Sequence, residues 1–276
     1  MKTAKEYKDS LRERKIRVYV KGELLDSASV IDHPFIRGHV NSAAMTYALA
    51  GNPEYEDLMT TTSHLTGHKI NRFTHIHQSV DDLMKKAKML RTISQKTGTC
   101  YQRCVGFDAM NATYTVTYEC DQALGTDYHE RFKKFLIQVQ DNDWMVAGAM
   151  TDVKGDRSLR PGQQVDPDMF VHVVEKREDG IVIRGAKAHM TGMVNSHWML
   201  IMPTMGMQEN EAEYAVSCAI PVDAPGVTHI FGRQTNDDRK CEGTIDQGNA
   251  NYGIVGDLFK VVPELIKQVE AAKAAQ

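Results

Sequence analysis

The 276-residue sequence lacks a long apolar run, and it contains only five cysteines. No stretch approaches the roughly 20 apolar residues that a membrane-spanning helix needs, so the sequence predicts no membrane partner. Its start, MKTAKEYKDSLRERKIRVYV, is charged and has no apolar core of a signal peptide. The odd, thinly spread cysteines argue against a disulfide framework and predict a reducing, cytoplasmic location.

The sequence also lacks an excess of positive charge. Its net charge of -3 gives no basic footprint, which predicts that nucleic acid is not a partner. Hydrophobic residues make up 42% and charged residues 25%, as is ordinary for a soluble globular protein. The length allows one large or two medium domains.

The first half of the chain has helical periodicity. Ser79, with Asp82 three residues later, is a capping-box variant that predicts a helix start, and Gly98 predicts its end. The pattern also predicts helices over residues 2–14, from 41 or 42 to 50, from after Gly98 to about 118, and 129–139.

The second half has the character of strands. Residues 171–176 and 181–184 are strand-like runs separated by a turn that contains Asp179 and Gly180, which predicts a hairpin. Further strands are predicted over residues 198–202, 214–220 and 227–231. A block of helices before a block of strands indicates an α+β chain. The predicted domains are a helical domain (1–145), a middle β domain (146–250) and a terminal helix (251–276).

The stretch QKTGTCYQRCVGFDA carries Cys100 and Cys104. On a helix, residues four apart lie on one face, so both sulfurs would point the same way. Thiolates bind zinc and iron–sulfur clusters, but this spacing alone is a weak signal. Buried cysteines that only pack are more common, and from the residues alone that alternative stays the more frequent one.

Two other stretches could carry chemistry. His64 and His68 are also four apart, which allows a zinc site with Cys100 and Cys104, although ordinary polar histidines are the more frequent case. The second stretch, GAMTDVKGDRSLRPG (148–162), could bring backbone N–H groups close to a phosphate or a flavin ring. A polar interdomain loop is the alternative.

Several segments resemble one known family. They are RVY (17–19), DHPFIR (32–37), DLMTT (57–61), INRF (70–73), HQSVDDL (77–83), QKTGTCYQRCVGFDAMNA (95–112), GAMTDVKGDR (148–157), VEKREDGIVIRGAKAHMTG (174–192), NSH (195–197) and GRQ (232–234). They resemble the 4-hydroxybutyryl-CoA dehydratase/vinylacetyl-CoA Δ-isomerase branch of the 4-hydroxyphenylacetate 3-monooxygenase family. That resemblance covers about residues 1–250 and implies a fold similar to acyl-CoA dehydrogenases, with a helical domain followed by a β-barrel domain.

The resemblance also implies cofactors, a substrate and site residues. It implies FAD, a [4Fe–4S] cluster held by three Cys and one His, an acyl-CoA substrate and a homotetramer. By this resemblance Cys100 and Cys104 are two of the cluster ligands. The residues that match flavin-contacting positions are Ala149, Met150, Thr151, Gly155, Asp156, Arg157, Ser158 and Thr191. FAD would act as a transient one-electron carrier, and the cluster as a Lewis acid on the leaving hydroxyl.

The sequence departs from that family toward its end. The third cysteine, the histidine ligand, and the carboxylate and tyrosine assigned to proton transfer belong to a C-terminal helical domain that we do not find in this sequence, so we assign no catalytic residue. Residues 250–269 instead resemble the C-terminus of the electron-transfer flavoprotein α-subunit, where Asp257 and Leu258 match FAD-contacting positions. The sequence therefore predicts a fusion of the front of a dehydratase with the last helix of that flavoprotein subunit. The function that the resemblance implies is dehydration of 4-hydroxybutyryl-CoA to crotonyl-CoA with isomerisation of vinylacetyl-CoA, by an incomplete form of the enzyme. A catalytically inactive flavin-binding fragment or interaction partner is the alternative to that function.

Overall fold

A computed structural model describes residues 1–153 and 155–232 of the chain. The predicted terminal helix of residues 251–276, the flavoprotein-like tail with Asp257 and Leu258, and Cys241 lie outside the described residues. The fusion and the division into domains therefore stay predictions.

Helices dominate the first 141 residues. The six α-helices of the described residues are α1 (Ala4–Arg12), α2 (Arg37–Ala50), α3 (Glu56–Met59), α4 (Val80–Thr97), α5 (Cys104–Leu124) and α6 (Tyr128–Asp141). Within the part of the chain that the structure describes, none of them is long and apolar enough to cross a lipid bilayer.

Short strands form four small sheets rather than one large sheet. The strands are β1 (Val18–Val20), β2 (Glu23–Leu24), β3 (Thr60–Thr62), β4 (Lys69–Asn71), β5 (Val146–Ala149), β6 (His172–Arg177), β7 (Gly180–Arg184), β8 (Trp198–Ile201), β9 (Cys218–Pro221) and β10 (His229–Phe231). The sheet orders are β10-β1-β2, β3-β4, β5-β8-β9 and β6-β7. Pairing of β1 with β10 is parallel and joins the two ends of the described chain. A closed barrel is not among the sheets of residues 1–153 and 155–232.

The predicted boundaries of helix α4 and the predicted hairpin are confirmed. The Ser79 hydroxyl accepts a hydrogen bond from the backbone N–H of Asp82, and α4 ends before Gly98, which has a left-handed conformation. The predicted hairpin is the antiparallel pair β6-β7. The prediction for α2 was wrong at its start, because the helix begins at Arg37 and its N-cap, Ile36, makes no side-chain hydrogen bond.

A second correction concerns the cysteine segment. Cys100 is not helical, since α5 begins only at Cys104, and the helix continues past residue 118 to Leu124. Gln102, between the two cysteines, has a positive φ of 62° that a regular helix does not permit. The backbone therefore makes a compact loop before α5, and Cys104 is the first residue of that helix.

The largest core cluster joins α1 and α2 to the sheet β5-β8-β9. Tyr7 of α1 stacks on Tyr47 of α2 with ring centroids 4.4 Å apart, and the Tyr7 hydroxyl donates a 2.6 Å hydrogen bond to the Asn195 carbonyl. His197, just before β8, accepts a 3.0 Å hydrogen bond at Nδ1 from the Met145 N–H. These contacts hold helices α1 and α2 against the segments that precede β5 and β8. The candidate site lies near this junction.

Candidate functional site

The two cysteines predicted as ligands lie together at the start of α5. The Cys104 side chain hydrogen-bonds Cys100 and thereby lowers the pKa of Cys100 to about 6, while the same contact raises the pKa of Cys104. Cys100 is exposed and Cys104 half-buried. The pair therefore offers two neighbouring thiols as possible ligands for a soft metal, which binds the deprotonated form.

One face of α2 holds the cysteine loop in place. His39, Ser42 and Thr46 recur at the spacing of one helical face and are all buried. The Ser42 hydroxyl donates a 3.0 Å hydrogen bond to the Cys100 carbonyl, and His39 Nδ1 contacts the Gln102 amide. This face was not identified from the sequence, although polar residues recur at positions 39, 42 and 46 in a helix rich in alanine and other apolar residues.

Arg103, the residue before Cys104, holds the same loop through buried contacts. Its guanidinium donates a 2.9 Å hydrogen bond to Thr46 Oγ1 and lies 4.0 Å from the Asp143 carboxylate. The rings of Tyr47 and Phe73 lie 4.4 and 4.7 Å from its guanidinium carbon. A buried cation with planar donors between two rings has little freedom to move, so the residue next to Cys104 is fixed.

The first turn of α5 lies directly on β5. A Cβ added to Gly106 would come within 1.7 Å of the Val146 carbonyl oxygen, so only glycine permits this approach. β5 ends at Ala149 and continues into Met150 and Thr151, and all three are residues predicted to contact flavin. The cysteine helix and the strand that delivers the flavin-contact segment are thus packed backbone to backbone.

The predicted flavin-contact segment consists of Ala149, the last residue of β5, and the irregular loop that follows it. We call residues 149–153 and 155–158 the flavin-contact loop. In its second part, the Asp156 carboxylate accepts hydrogen bonds from the Ser158 N–H (2.9 Å) and hydroxyl (2.6 Å), which lower the pKa of Asp156. Gly155 lies against Gln164, and Arg157 is exposed. Ala149 is buried, whereas Met150 is 42% exposed.

A second segment, residues 187–192, runs from the flavin-contact loop to the cysteine loop. At one end Lys187 bridges to Asp152, and the Ala188 N–H donates a 2.8 Å hydrogen bond to the Thr151 carbonyl. At the other end Gly192 has a φ of +85°, and a Cβ there would lie 2.8 Å from the Gln102 carbonyl oxygen. Thr191 is the exposed residue immediately before that contact. One short segment thus bridges both predicted ligand-contacting regions.

The zinc alternative is wrong. Within residues 1–153 and 155–232, no three His, Cys, Asp or Glu side chains form a group that could hold a metal ion. His64 and His68 lie in the turn between β3 and β4 instead of on a helix, so their spacing does not place them on one face. His64 Nε2 lies 3.2 Å from the Tyr114 hydroxyl, and His68 is exposed.

Comparison with known proteins places these residues in a family. The family model described as 4-hydroxyphenylacetate 3-hydroxylase N terminal matches residues 3–259. This match extends nine residues past residue 250, the predicted limit of the resemblance. The chain is 55% identical over 253 residues to the 4-hydroxybutyryl-CoA dehydratase/vinylacetyl-CoA-Δ-isomerase of Clostridium aminobutyricum, a match to 91% of this chain and 51% of that protein. This confirms the predicted resemblance to that dehydratase.

A solved structure and a more distant curated relative agree with this assignment. An oxygen-tolerant archaeal 4-hydroxybutyryl-CoA dehydratase from N. maritimus superposes with a TM-score of 0.85 at 48% identity, over 91% of this chain and 50% of that one. The 4-hydroxyphenylacetate 3-monooxygenase oxygenase component of Thermus thermophilus is 26% identical over 83% of this chain and 46% of its own length. The chain thus spans about half the length of the curated relatives it matches, and it belongs to the 4-hydroxyphenylacetate 3-hydroxylase N-terminal family.

Proposed function

We propose that this chain supplies the flavin-contact loop and the cysteine pair of a 4-hydroxybutyryl-CoA dehydratase, which converts 4-hydroxybutyryl-CoA to crotonyl-CoA and isomerises vinylacetyl-CoA. The proposal includes FAD, a [4Fe–4S] cluster, an acyl-CoA dehydrogenase-like fold with a helical and a β domain, and assembly as a homotetramer. The identity to the clostridial dehydratase supports the reaction. A more distant relative of similar fold, an oxygenase component of 4-hydroxyphenylacetate 3-monooxygenase, has a structure complexed with FAD.

The observation that carries the proposal is the bridge formed by residues 187–192. It contacts Asp152 in the flavin-contact loop and Gln102 in the cysteine loop. A dehydratase that removes an unactivated proton and a hydroxyl needs two cofactors near one substrate, because neither alone supplies both functions. Loops that are packed together can present both cofactors to the same molecule.

The residues of this chain have separate roles in that reaction. FAD supplies one-electron chemistry when it is bound, and a cluster iron supplies a Lewis acid for the leaving hydroxyl. Cys100 and Cys104 would supply two thiolate ligands of the cluster, because Cys100 precedes α5 by four residues, Cys104 begins that helix, and Cys100 is exposed. The Thr191 hydroxyl, next to the Gly192 contact, would donate a hydrogen bond to the reactive flavin nitrogen.

The flavin-contact loop holds FAD by its backbone and short polar side chains. Ala149, Met150, Thr151, Gly155, Asp156, Arg157 and Ser158 are the residues proposed for this contact. Loop N–H groups approach a ring or phosphate closely where the side chains are small, as at Gly155 and Ser158. Arg157 is exposed and carries the charge that suits a phosphate.

A second candidate is a chain that binds flavin without catalysis or acts as a partner of another polypeptide. The observation that favours it is the ligand count, since the described residues bring only Cys100 and Cys104 together and form no group of three possible metal ligands. The two candidates share the flavin-contact loop and differ in iron content and turnover.

The test is anaerobic reconstitution of the protein with FAD, iron and sulfide, followed by iron analysis, a visible spectrum and assay of crotonyl-CoA formation. The dehydratase proposal expects bound FAD, bound iron with sulfide, and turnover. The double variant Cys100→Ser/Cys104→Ser should lose the iron and keep FAD. Cys120→Ser, which changes a cysteine further along α5, is the matched control and should retain both.

The outcomes separate the candidates. Bound FAD without iron or turnover supports the flavin-binding chain. Iron that remains in the double variant contradicts the assignment of Cys100 and Cys104. Failure of the unmodified protein to bind FAD contradicts both candidates.

A further inference from the structure

A buried ammonium group lies beneath the first part of the flavin-contact loop. Lys187 and Asp152 form an ion pair whose side chains are only 8% and 5% exposed. Lys187 Nζ also donates hydrogen bonds to the carbonyls of Met150 (2.9 Å) and Met202 (2.7 Å). A lysine ammonium has three N–H donors, so each of its donors has an acceptor.

The acceptors come from two parts of the chain. Met150 and Asp152 flank Thr151 in the flavin-contact loop, whereas Met202 follows β8. The second Asp152 oxygen accepts a 2.7 Å hydrogen bond from Thr204. The carbonyl of Thr151 itself accepts from the Ala188 N–H. Three consecutive residues, 150–152, are therefore fixed to the segments that start at Lys187 and follow β8.

Stability alone is a weak reason for such an arrangement. Moving two charges out of water is costly, and well-packed apolar residues often replace a buried ion pair with no loss of stability. A fully bonded ammonium does something that an apolar side chain cannot, because it fixes the positions of specific carbonyl oxygens. The Lys187 ammonium therefore contributes by fixing the conformation of the flavin-contact loop.

We propose that Lys187, paired with Asp152, is a positioning residue that sets the conformation of the flavin-contact loop and the local charge that a bound flavin would experience. This inference rests on the proposed function, because it takes the loop to contact FAD. Since the two charges offset each other, removing one leaves the other unbalanced next to the flavin. Removing both restores neutrality but not the hydrogen bonds.

The charge balance gives the proposal a test that a merely structural role would not satisfy. A negative charge near a flavin disfavours its reduction, and a positive charge favours it. Lys187→Met should therefore lower the midpoint potential of the bound flavin, and Asp152→Asn should raise it. The double variant Lys187→Met/Asp152→Asn should return the potential toward that of the unmodified protein.

Affinity for FAD supplies the second measurement. Loss of the loop geometry should weaken FAD binding by about tenfold to a hundredfold in Lys187→Met and in the double variant, as small misplacements of binding groups do. Lys69→Met is the matched control, since Lys69 forms an exposed ion pair with Glu56 on another part of the surface. It should leave both the affinity and the potential unchanged.

Circular dichroism of each variant checks that it folds, and if Lys187→Met does not fold, the potential of Asp152→Asn alone decides. Unchanged affinity and potential in Lys187→Met, or shifts of the same sign in both single variants, would overturn the positioning role and leave the proposed function intact. If the unmodified protein does not bind FAD, the positioning role and the flavin part of the proposed function fail together.

Discussion

Gly106 shows what a single residue does at this site. A helix interior usually gains about 1 kcal/mol when alanine replaces glycine. Here the added methyl group would lie 1.7 Å from the Val146 carbonyl oxygen, so α5 must move away from β5. We expect Gly106→Ala to lower the free energy of unfolding by about 3 kcal/mol, the upper part of the range for overpacking. Urea denaturation followed by circular dichroism measures the change.

The control for that substitution is Gly206→Ala, because nothing lies within 4 Å of a Cβ added to Gly206. It should change stability by less than about 0.5 kcal/mol, as is typical of surface positions. A stabilised Gly106→Ala would show that the close contact of α5 with β5 does not exist, and the link between the cysteine helix and the flavin-contact loop would lose its support.

At the same scale, the sequence could indicate residue types but not contacts. The spacing of Cys100 and Cys104 predicted neighbouring sulfurs, and they are neighbours, although the reason is a loop with Gln102 at a positive φ instead of a helix. The spacing of His64 and His68 is the same and led to a wrong zinc alternative, because Gly67 turns the chain there. A spacing of four residues has meaning only once the backbone conformation is known.

Among the secondary-structure elements, helix α2 holds the cysteine loop through its polar side chains. Its Thr46 hydroxyl donates to the Ala43 carbonyl and accepts from the buried Arg103 guanidinium at 2.9 Å. Thr46→Val keeps the shape but leaves a charged donor without its acceptor, which costs about 1.5–3 kcal/mol. We expect a loss of unfolding free energy in that range, measured by urea denaturation.

Thr115→Val is the matched control for that substitution. Thr115 lies on α5, is exposed, and its hydroxyl donates only to a carbonyl of its own helix. Its replacement should change stability by less than about 0.5 kcal/mol. Equal effects of the two substitutions would mean that Arg103 does not depend on α2, and that the helix does not hold the cysteine loop.

The same helix explains why elements were predicted unevenly. Helix α4 has an explicit start at Ser79 and an explicit end at Gly98, and both were predicted correctly. Helix α2 starts at Arg37 without a side-chain cap and is buried on most sides, so no polar boundary marks its beginning. A helix end that is marked by a capping residue can be predicted from the local sequence. A helix end that depends on burial by distant segments, such as β5 and β8, cannot.

At the scale of the whole molecule, burial of histidine links folding to pH. All eleven histidines lie in the described residues. Burial lowers the pKa of seven of them: His33, His39, His64, His75, His77, His197 and His229. His197 is held furthest below its usual range, because it is buried and also faces the positive charges of Arg14, Lys2 and Arg103.

The sign of the pH effect follows from these directions. In the unfolded chain a histidine titrates near pH 6.5, whereas the folded protein keeps these side chains neutral to a lower pH. The unfolded state therefore binds more protons below about pH 6.5, so the stability present above that pH is lost as the pH falls. Asp82 does not contribute in this window, because hydrogen bonds and nearby positive charge outweigh its burial and lower its pKa to about 2.

We expect the free energy of unfolding to fall by at least about 2 kcal/mol between pH 7 and pH 5, since one pH unit is worth at most about 1.4 kcal/mol for each depressed histidine and the strongly depressed His197 alone supplies about that amount below pH 6.5. Urea denaturation at pH 7, 6 and 5 in one buffer of constant ionic strength measures the change.

His197→Gln should make the pH profile shallower, because the histidine with the most strongly lowered pKa no longer titrates. His68→Gln removes an exposed histidine and should leave the slope as it is. A stability that stays constant or rises from pH 7 to pH 5 would show that the buried histidines are protonated in the folded protein.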